Sequence, residues 1–517
     1  MPLERNPQTK DAASFLAPFL LLGPLLASPT TSTPPAIDVV REAIRQMGGE
    51  DKLRALRGVH FKAASYRNAL EQSERPEGPY IVEYDEISES RDLEHTRCKQ
   101  EVEINVQVQP AVKFKVVVAD GAASREFSGQ TIPASRDQLQ EAEEALEICP
   151  ERLLLTASAA PDLHLESDTV LQTVPNRVVA FTWKDAPVRL FLNAYTYLPT
   201  AVEWKRAYPG DTFWGTWGDV TTRVYYSLWW LYPGGIHYPR QWDTFRNNLP
   251  ERVVTISELD LNPTFAADDF AISADARASF AKRINSTIDD RPLGLPNQPA
   301  VELAKDVVFI PGAWNTTLVK QSDGIVVIEA PISSGHSTKV IAEAEGRWPG
   351  VPVKAVISSS DSWPHIAGVR EYVARGIPVY ALDLNLPILQ RLVDAPRTSS
   401  PDLLAKSPRN ADFRSVSDKV VVGDGPNRLE LYPLRGETSE RQMMVCFPQR
   451  KLLYGSDPFQ KDESGAYFYP QTVWELKRAV EREKLQVDTF FMMHMGPTPW
   501  SDLDKATTQA ENPQPAK

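Results

Sequence analysis

The sequence predicts a two-domain α+β protein in which an antiparallel β-rich domain precedes a layered α/β domain. Three observations support this fold class. From about residue 60 to residue 273, short segments rich in β-branched and aromatic residues follow one another with turn signals between them. A segment rich in Pro, Asn and Asp follows at 281–304. Beyond it, strand pairs alternate with helical segments, which is typical of layered α/β structure.

The composition is that of a globular protein. The chain has 517 residues, enough for two to four domains, with 42% apolar and 24% charged residues. Its net charge is -12, from 56 Lys and Arg against 68 Asp and Glu, so we expect no nucleic-acid partner. None of the 3 cysteines lies in a C-x-x-C pair, which argues against a thiolate zinc site. The sequence is compatible with a disulfide between Cys98 and Cys149.

Residues 1–36 are predicted to be a signal peptide and linker. The run Ala12–Ala27 is apolar, is followed by small residues and Pro, and is shorter than a membrane-spanning helix. A cleaved signal is the first interpretation, an uncleaved membrane anchor the second and a disordered apolar tail the third. We therefore expect an exported protein, periplasmic or extracellular, and the anchor interpretation adds association with a membrane surface or an envelope partner.

Residues 37–280 are predicted to form the antiparallel β-rich domain. It opens with a helical stretch that Gly48-Gly49 interrupts, and one further helix is expected near 136–155. Five tryptophans occur late in this domain, at Trp214, Trp217, Trp229, Trp230 and Trp242. They either line a groove for an apolar ligand or fill the core of the sheet itself, and we favour the core.

The second half of the chain is predicted to be one domain. Residues 281–304 form a Pro-rich linker, 305–504 the layered α/β domain, and 505–517 a polar, disordered tail. We expect limited proteolysis to cut the linker and to release the second domain as a stable fragment.

Four loops of this second domain each follow a predicted strand and carry polar side chains. The end of a strand holds a loop rigidly, which is why α/β folds present reactive groups there. Imidazole and carboxylate groups are ligands for Zn²⁺, Fe²⁺ or Mn²⁺. The candidate residues are Asp361, His365, Glu437, Asp457 and His494. Each also has a structural interpretation, as a capping or hydrogen-bonded residue.

The order of these segments resembles the metallo-β-lactamase superfamily across most of the second domain. The resemblance is carried by VVFIPGAWNTTLV, DGIVVIEAP, KAVISSSDSWPHIAG, LYPLRGETS, KLLYGSD and MMHMG. It implies an αββα sandwich. The positions of the superfamily motif H-x-H-x-D-H-x-x-G are occupied by Ser360, Ser362, Pro364, His365 and Gly368. The later histidine of the superfamily falls on Glu437, its bridging aspartate on Asp457 and its last histidine on His494.

The resemblance implies a metal site that is only partly kept. The positions of the first metal have changed to Ser360, Ser362 and Glu437, which make a poor zinc site. The positions of the second metal keep His365, Asp457 and His494, and only the motif aspartate is lost. We therefore expect one divalent metal, zinc first with iron or manganese as alternatives. The competing expectation is that no metal is bound.

The first domain resembles, loosely, the periplasmic lipoprotein-carrier fold, a curved antiparallel half-barrel with helices in its concave side. The Gly-Gly helix and the segments YLPTAVEW and GGIHYPRQW carry this resemblance. It does not extend to ligand binding.

Two functions follow from the sequence. The first is a one-metal hydrolase of ester, amide or thioester substrates, in which Asp361 or Glu437 is the base or a fourth ligand. The second is a non-catalytic binding protein, in which the β domain binds an apolar ligand and the second domain is a degenerate scaffold. Both have a small or apolar molecule as partner. β-Lactamase activity is not expected, because the histidines it uses are missing, and no oligomeric state is predicted.

Overall fold

A computed structural model describes residues 35–105, 111–266, 268–457 and 470–511. The predicted signal peptide therefore lies outside the described residues, apart from the last two positions of its linker. Within the described ranges, no helix is both long enough and apolar enough to cross a membrane.

The first half of the described chain consists mainly of strands, with five helices. In chain order its elements are α1 (Ala36–Met47), α2 (Glu50–Ala55), β1 (Gly58–Asn68), β2 (Val82–Asp92), β3 (Arg97–Asn105), β4 (Val112–Ala119), β5 (Ala122–Phe127), β6 (Gln130–Ile132), α3 (Arg136–Glu147), α4 (Pro150–Ala159), β7 (His164–Leu165), β8 (Thr169–Leu171), β9 (Val174–Trp183), β10 (Ala186–Asn193), β11 (Pro199–Ala207), β12 (Asp219–Tyr232), β13 (Ile236–Arg246), β14 (Leu249–Leu261) and α5 (Ala274–Arg283).

These strands form one antiparallel sheet of fourteen strands. Their order is β6-β5-β4-β3-β2-β1-β14-β13-β12-β11-β10-β9-β7, with β8 beside β9. Strands β1 and β14 are neighbours although they lie at opposite ends of the sequence of the sheet, and most other strands pair with the next along the chain. Helices α1 and α4 pack together against β9–β13, because the apolar stripes of both helices face the apolar side of these strands.

The second half alternates strands and helices. In chain order its elements are β15 (Val301–Ala304), β16 (Val307–Ile310), β17 (Thr316–Gln321), β18 (Gly324–Ile328), α6 (Ser334–Arg347), β19 (Val353–Ser358), α7 (Trp363–Ile366), α8 (Val369–Arg375), β20 (Val379–Leu382), α9 (Leu386–Asp394), α10 (Leu403–Lys406), β21 (Phe413–Val416), β22 (Val420–Val422), β23 (Leu429–Pro433), β24 (Met443–Phe447), β25 (Leu452–Tyr454), α11 (Pro470–Arg482), β26 (Thr489–Phe491), β27 (Thr498–Pro499) and α12 (Trp500–Glu511).

The strands of the second half form two sheets that share a core. Strands β15–β21 make a seven-stranded sheet and β22–β27 a six-stranded sheet. Buried side chains of both sheets, such as Ile328 and Ile357 of the first and Val445 and Phe491 of the second, belong to one apolar cluster. Helices α6, α8 and α9 pack on the other face of the first sheet, and α11 and α12 on the other face of the second. Both faces of each sheet are thus covered, which explains why its strands are continuously apolar.

The structure corrects the prediction of a disordered tail at 505–517, because helix α12 continues to Glu511. Leu503 and Ala506 of this helix are buried against α11 and the second sheet, so the helix has an apolar face that ties it to the domain. Residues 512–517 lie outside the described residues.

The predicted linker at 281–304 is held against the second half. Lys339 Nζ donates to the backbone oxygen of Asp289 at 2.6 Å, and the backbone N–H of Gly335 donates to the Asp289 carboxylate at 3.0 Å. The last four residues of the segment form β15, which pairs with β16. This connection is therefore ordered, although its composition is that of a loop.

The two halves share a hydrophobic core. Trp214 and Trp217 of the first half are buried, and each makes an edge-to-face contact with Trp363 of the second, at 5.0 and 5.1 Å between ring centroids. These two tryptophans thus do fill a core, but one that the two halves build together. Trp230, by contrast, is 54% exposed.

The three cysteines, Cys98, Cys149 and Cys446, are buried free thiols. Burial raises the pKa of all three, and that of Cys446 is about 11. The first two lie in the first half and the third lies in the second sheet.

Candidate metal centre

Three of the predicted site residues lie at the ends of strands in two different sheets. His365 lies in the short helix α7, which follows the turn after the end of β19 at Ser358. Asp457 follows β25 and His494 follows β26. Because β25 and β26 are parallel neighbours, their carboxyl ends meet at the same edge of the sheet. The backbone N–H of Met493 donates to the backbone oxygen of Ser456 at 2.9 Å, which keeps the two loops together.

The three side chains converge. One ligand atom from each of His365, Asp457 and His494 lies within 4.8 Å of the others. Asp457 Oδ1 is 3.2 Å from His494 Nε2, and Asp457 Oδ2 is 3.6 Å from His365 Nε2. Two ligands bonded to a tetrahedral ion at 2.0–2.2 Å lie roughly 3.4 Å apart. The spacing and the chemistry of these donors therefore fit a divalent metal ion.

The outer nitrogen of each imidazole has its own hydrogen-bond partner. His494 Nδ1 lies 2.9 Å from the backbone oxygen of Ala313, and His365 Nδ1 lies 3.0 Å from Ser360 Oγ. The Ala313 carbonyl can only accept, so Nδ1 of His494 carries a proton, and Nε2 faces Asp457. Such outer hydrogen bonds fix the orientation of metal-ligating histidines.

The electrostatics of the trio favour a neutral His365. Burial lowers the pKa of His365 to about 4, although the neighbouring Asp457 carboxylate opposes this shift. Burial also acts against protonation of His494, but the hydrogen bond to Asp457 and the charge of that carboxylate raise the pKa of His494 above its usual value. At neutral pH, His365 is therefore already in the form that ligates metals.

Asp361 lies beside the trio on the wall of a cavity of about 180 Å³. Asp457, Ser360 and Ser362 line the same cavity. Burial raises the pKa of Asp361 to about 7. This carboxyl group therefore exchanges its proton near neutral pH, which suits a group that accepts and returns protons.

Glu437 lies apart from the trio. Its carboxylate accepts a hydrogen bond from Arg478 Nη2 of α11 at 2.8 Å, and the side chain is 65% exposed. A hydrogen bond to its own backbone and the bond from Arg478 lower the pKa of Glu437. Among the described residues, the converging group consists of His365, Asp457 and His494 without it.

The sequence analysis missed Glu329, which follows β18. Glu329 is fully buried, and its φ of 78° is in the left-handed region that favours glycine. Ser359 donates both its hydroxyl and, at 3.3 Å, its backbone N–H to the Glu329 carboxylate. Ser359 Oγ also lies 2.7 Å from Ser456 Oγ. Glu329 therefore joins the loop after β19 to the loop that carries Asp457, and a carboxylate after a buried strand (VVIEAP) was its signal in the sequence.

Gln442 is a second residue that the sequence analysis missed. Its side-chain oxygen accepts the backbone N–H of Asp457 at 3.2 Å, and it lines the cavity next to Arg441. No sequence signal marks Gln442, because its position depends on how the two sheets pack.

The comparisons with known proteins found similarity only among solved structures. No protein-family model and no curated protein sequence matches the chain. Among the solved structures, DIM-1 metallo-β-lactamase is 15% identical with a TM-score of 0.32, over 42% of this chain and 99% of that chain. The metallo-β-lactamase from Pontibacter korlensis is 14% identical with a TM-score of 0.32, over 41% and 99%. The sec-alkylsulfatase Pisa1 from Pseudomonas sp. is 15% identical with a TM-score of 0.31, over 42% and 40%.

The structures found are thus metallo-β-lactamase-fold proteins and include hydrolases. Identity and TM-scores at this level carry no inference about the chemistry of this chain. Its function has to be argued from its own residues.

Proposed function

We propose that this chain is a metal-dependent hydrolase in which His365, Asp457 and His494 hold one divalent cation, zinc first and iron or manganese as alternatives. The observation that carries the proposal is the convergence of these three side chains from three separate loops. An unsatisfied buried polar group costs about 1–3 kcal/mol. Asp457 and His494 follow neighbouring strands, but His365 follows a strand of the other sheet, so no shared hydrogen-bond ladder directs its imidazole to them.

The chemistry divides between the cation and the residues of the cavity. A divalent cation supplies Lewis-acid activation of water and of a carbonyl group. Asp361, on the cavity wall, would take a proton from the attacking water and return it to the leaving group. Ser360 would orient His365 through their hydrogen bond. Ester, amide and thioester groups are the substrates that this chemistry suits.

We also propose that the second half of the chain is a degenerate metallo-β-lactamase domain. The helix–sheet–sheet–helix packing of the second half supports assignment as an αββα metallo-β-lactamase domain. The motif is degenerate in this assignment, because Ser360 and Ser362 occupy histidine positions. Two serine hydroxyls make no zinc site at neutral pH, so the proposed centre holds one metal and β-lactamase activity is not proposed.

Metal content tests the proposal directly. Chelator-treated wild-type protein, titrated with Zn²⁺ in a calorimeter, should bind about one equivalent, and the His494→Ala variant should bind none. His164→Ala is the control, because His164 is exposed and hydrogen-bonded only to the backbone of Asp162 among the described residues. Ester hydrolysis should return with Zn²⁺ in wild type and in His164→Ala, but not in His494→Ala. If wild type binds no more metal than His494→Ala, the one-metal hydrolase is wrong.

A non-catalytic binding protein is the second candidate, and the position of Glu437 favours it. The residue at the third ligand position of the first metal is an exposed partner of Arg478. In this candidate the second half is a scaffold that has lost its metal, and the β-rich domain binds an apolar ligand. Absence of both zinc binding and ester, amide or thioester turnover would favour this candidate.

Export is proposed from the sequence alone, from the apolar run Ala12–Ala27. A periplasmic or extracellular protein with a cleaved signal should begin near residues 28–36. An anchored one would stay with the membrane surface or an envelope partner. N-terminal sequencing of protein from fractionated cells distinguishes them, and an intact Met1 in the cytosolic fraction would contradict export.

A further inference from the structure

The cavity beside the metal centre is built by both halves of the chain. From the second half it is lined by residues of the loop after β19 and by Trp363 and Ile388. From the first half it is lined by the loop between β1 and β2, which we call the β1–β2 loop, residues 69–81. Leu70 and Ile81 are its apolar lining residues nearest the two strands.

The β1–β2 loop has a fixed shape. Its ends are joined by the backbone N–H of Ala69, which donates to the backbone oxygen of Ile81 at 2.8 Å. Ser73 Oγ donates to the backbone oxygen of Ala69 at 2.7 Å and accepts the backbone N–H of Ile81 at 3.0 Å. A loop with its polar groups satisfied internally can act as a rigid wall.

Three contacts dock this loop on the second half. Arg75 forms a two-pronged ion pair with Glu440, in which the Nη2–Oε2 distance is 3.0 Å. Glu77 pairs with Arg441 at 2.9 Å. Ser362 Oγ donates to the backbone oxygen of Glu71 at 3.2 Å. The loop therefore touches the segment that leads from β19 to His365.

The charges on the wall disfavour an anion. Glu71, Glu74 and Asp361 line the cavity. Arg441 is the one cationic side chain among the described residues that line it, and its guanidinium is already paired with Glu77. Apart from the proposed metal ion, a carboxylate on the substrate would meet acidic side chains and no unpaired cationic side chain among the described residues that line the cavity.

We infer that the β1–β2 loop forms the substrate wall of the proposed hydrolase site, and that this site takes an uncharged, apolar substituent of about six to eight carbon atoms. A cavity of about 150 Å³ holds benzene, so the 180 Å³ here suits a slightly larger group, for which Leu70, Ile81, Trp363 and Ile388 supply the apolar part of a mixed lining. This inference rests on the proposed function for turnover, but binding to the wall does not require metal. The first half thus selects the substrate on which the second half acts.

Three p-nitrophenyl esters test the inference with the zinc-loaded full chain: the acetate, the hexanoate and the monoester of adipic acid. In each reaction the water oxygen bonds to the acyl carbon, the acyl C–O bond to nitrophenol breaks, and the carboxylate, p-nitrophenolate and protons are released. We expect kcat/KM for the hexanoate to exceed that for the acetate and for the adipate monoester about ten-fold. A preference for the adipate monoester would overturn the inference.

Variants of the loop separate the wall from the centre. Gln72 is exposed at the cavity, so Gln72→Trp should fill the cavity and lower the ratio of hexanoate to acetate kcat/KM about ten-fold. Gln130→Trp, at an exposed position on β6, is the matched control and should leave the ratio unchanged. Arg75→Glu should lower the ratio, and adding Glu440→Arg should restore it. Wild-type ratios in both Gln72→Trp and Arg75→Glu would overturn the inference.

Binding to metal-free protein separates this inference from the proposed function. The uncharged probe N-phenylhexanamide should bind wild type in calorimetry, and Gln72→Trp should weaken its affinity about ten-fold. If this pattern holds while no ester is hydrolysed with Zn²⁺, the hydrolase is wrong and the apolar wall stands. If zinc-dependent hydrolysis occurs but the probe binds both proteins equally, the wall is wrong and the hydrolase stands.

Discussion

Ser360 and Ser362 lie two residues apart in the loop after β19, but their hydroxyls have different partners. Ser360 Oγ lies against His365 Nδ1, whereas Ser362 Oγ donates to the backbone of Glu71 in the β1–β2 loop. Ser360 therefore acts on the proposed metal centre through His365, and Ser362 acts on the docking of the loop. The two residues form a matched pair for experiment, because each differs from alanine by one hydroxyl.

We predict that Ser360→Ala weakens Zn²⁺ binding about ten-fold, since loss of an outer hydrogen bond to a ligating histidine typically costs 10–100-fold in metal affinity. Ser362→Ala should leave the affinity within about two-fold of wild type, by the same reasoning. Calorimetric titration of the chelator-treated proteins measures both. Equal affinities in the two variants would contradict the role of Ser360.

Glu329 provides a prediction about pH. Burial raises the pKa of Glu329 from 4.5 to about 7, although the hydrogen bonds from Ser359 oppose this shift. Between these two values the folded protein holds the proton and the unfolded chain does not. Stability contributed by this proton is therefore present below pH 4.5 and is lost as the pH rises to about 7.

Glu329→Gln should remove this dependence, because glutamine has no proton to lose. Relative to wild type, the variant should gain about 3 kcal/mol in the free energy of unfolding between pH 4.5 and pH 8, at about 1.4 kcal/mol for each pKa unit. Urea unfolding at both pH values measures the gain. Glu345→Gln, at an exposed position of α6, is the control and should show none. A pH-independent difference between wild type and Glu329→Gln would contradict the assignment.

At the residue scale, the sequence was informative where a motif exists. His365, Asp457 and His494 follow strands in the order of a known superfamily, and the structure brings them together. Their metal-binding role remains a prediction. Glu437 also matches the order of the superfamily segments, but the sequence does not indicate that Arg478 of α11 donates a hydrogen bond to its carboxylate. The contact depends on a helix more than thirty residues later, and local pattern does not encode such distances.

At the scale of elements, most strands and helices follow from periodicity, and the exceptions have local causes. The single helix predicted near 136–155 is two helices, because Pro150 lacks the N–H that would continue α3 and instead occupies the first turn of α4. Helix α8 ends at Arg375, since Gly376 adopts a left-handed φ of 72°. Helix α12 was missed because its sequence is largely polar and only one narrow face is buried.

Helix α12 should stabilise the second sheet measurably. Leu503 is fully buried against α11, so Leu503→Ala should lower the free energy of unfolding by about 2–5 kcal/mol. Lys505→Ala, two residues on, removes a side chain that is 73% exposed and should change it by less than about 0.5 kcal/mol. Denaturant unfolding measures both. A loss below about 1 kcal/mol for Leu503→Ala would show that the helix is not tied to the domain.

At the scale of the whole molecule, the two halves are joined more closely than their sequences indicate. The change of structural class at 281–304 predicted two separable domains. The structure adds a common core of Trp214, Trp217 and Trp363, and a carboxylate of Asp219 that accepts from the backbone of Thr398 at 2.9 Å. Composition and periodicity describe each half separately, so they do not predict the contacts between the halves.

This core changes the expectation for limited proteolysis. A protease should still cut the exposed stretch at 295–299, but the two fragments should elute together from a sizing column under native conditions. Trp363→Ala should let them separate, because removal of a buried tryptophan costs about 3–5 kcal/mol. Trp230→Ala, at an exposed position of the first half, is the control. Wild-type fragments that separate freely would show that the halves are independent.

Alkylation of the three buried thiols would report how often the folded protein opens. Burial holds Cys98, Cys149 and Cys446 in the protonated form, and only a thiolate is alkylated readily. Iodoacetamide can therefore label a cysteine only after the structure around it opens transiently, so the labelling rate measures how often such openings occur. Two of the three cysteines lie in the first half of the chain, and one lies in the second half. Their order of appearance in a mass spectrum would reveal whether the excursions are local or take the whole chain at once.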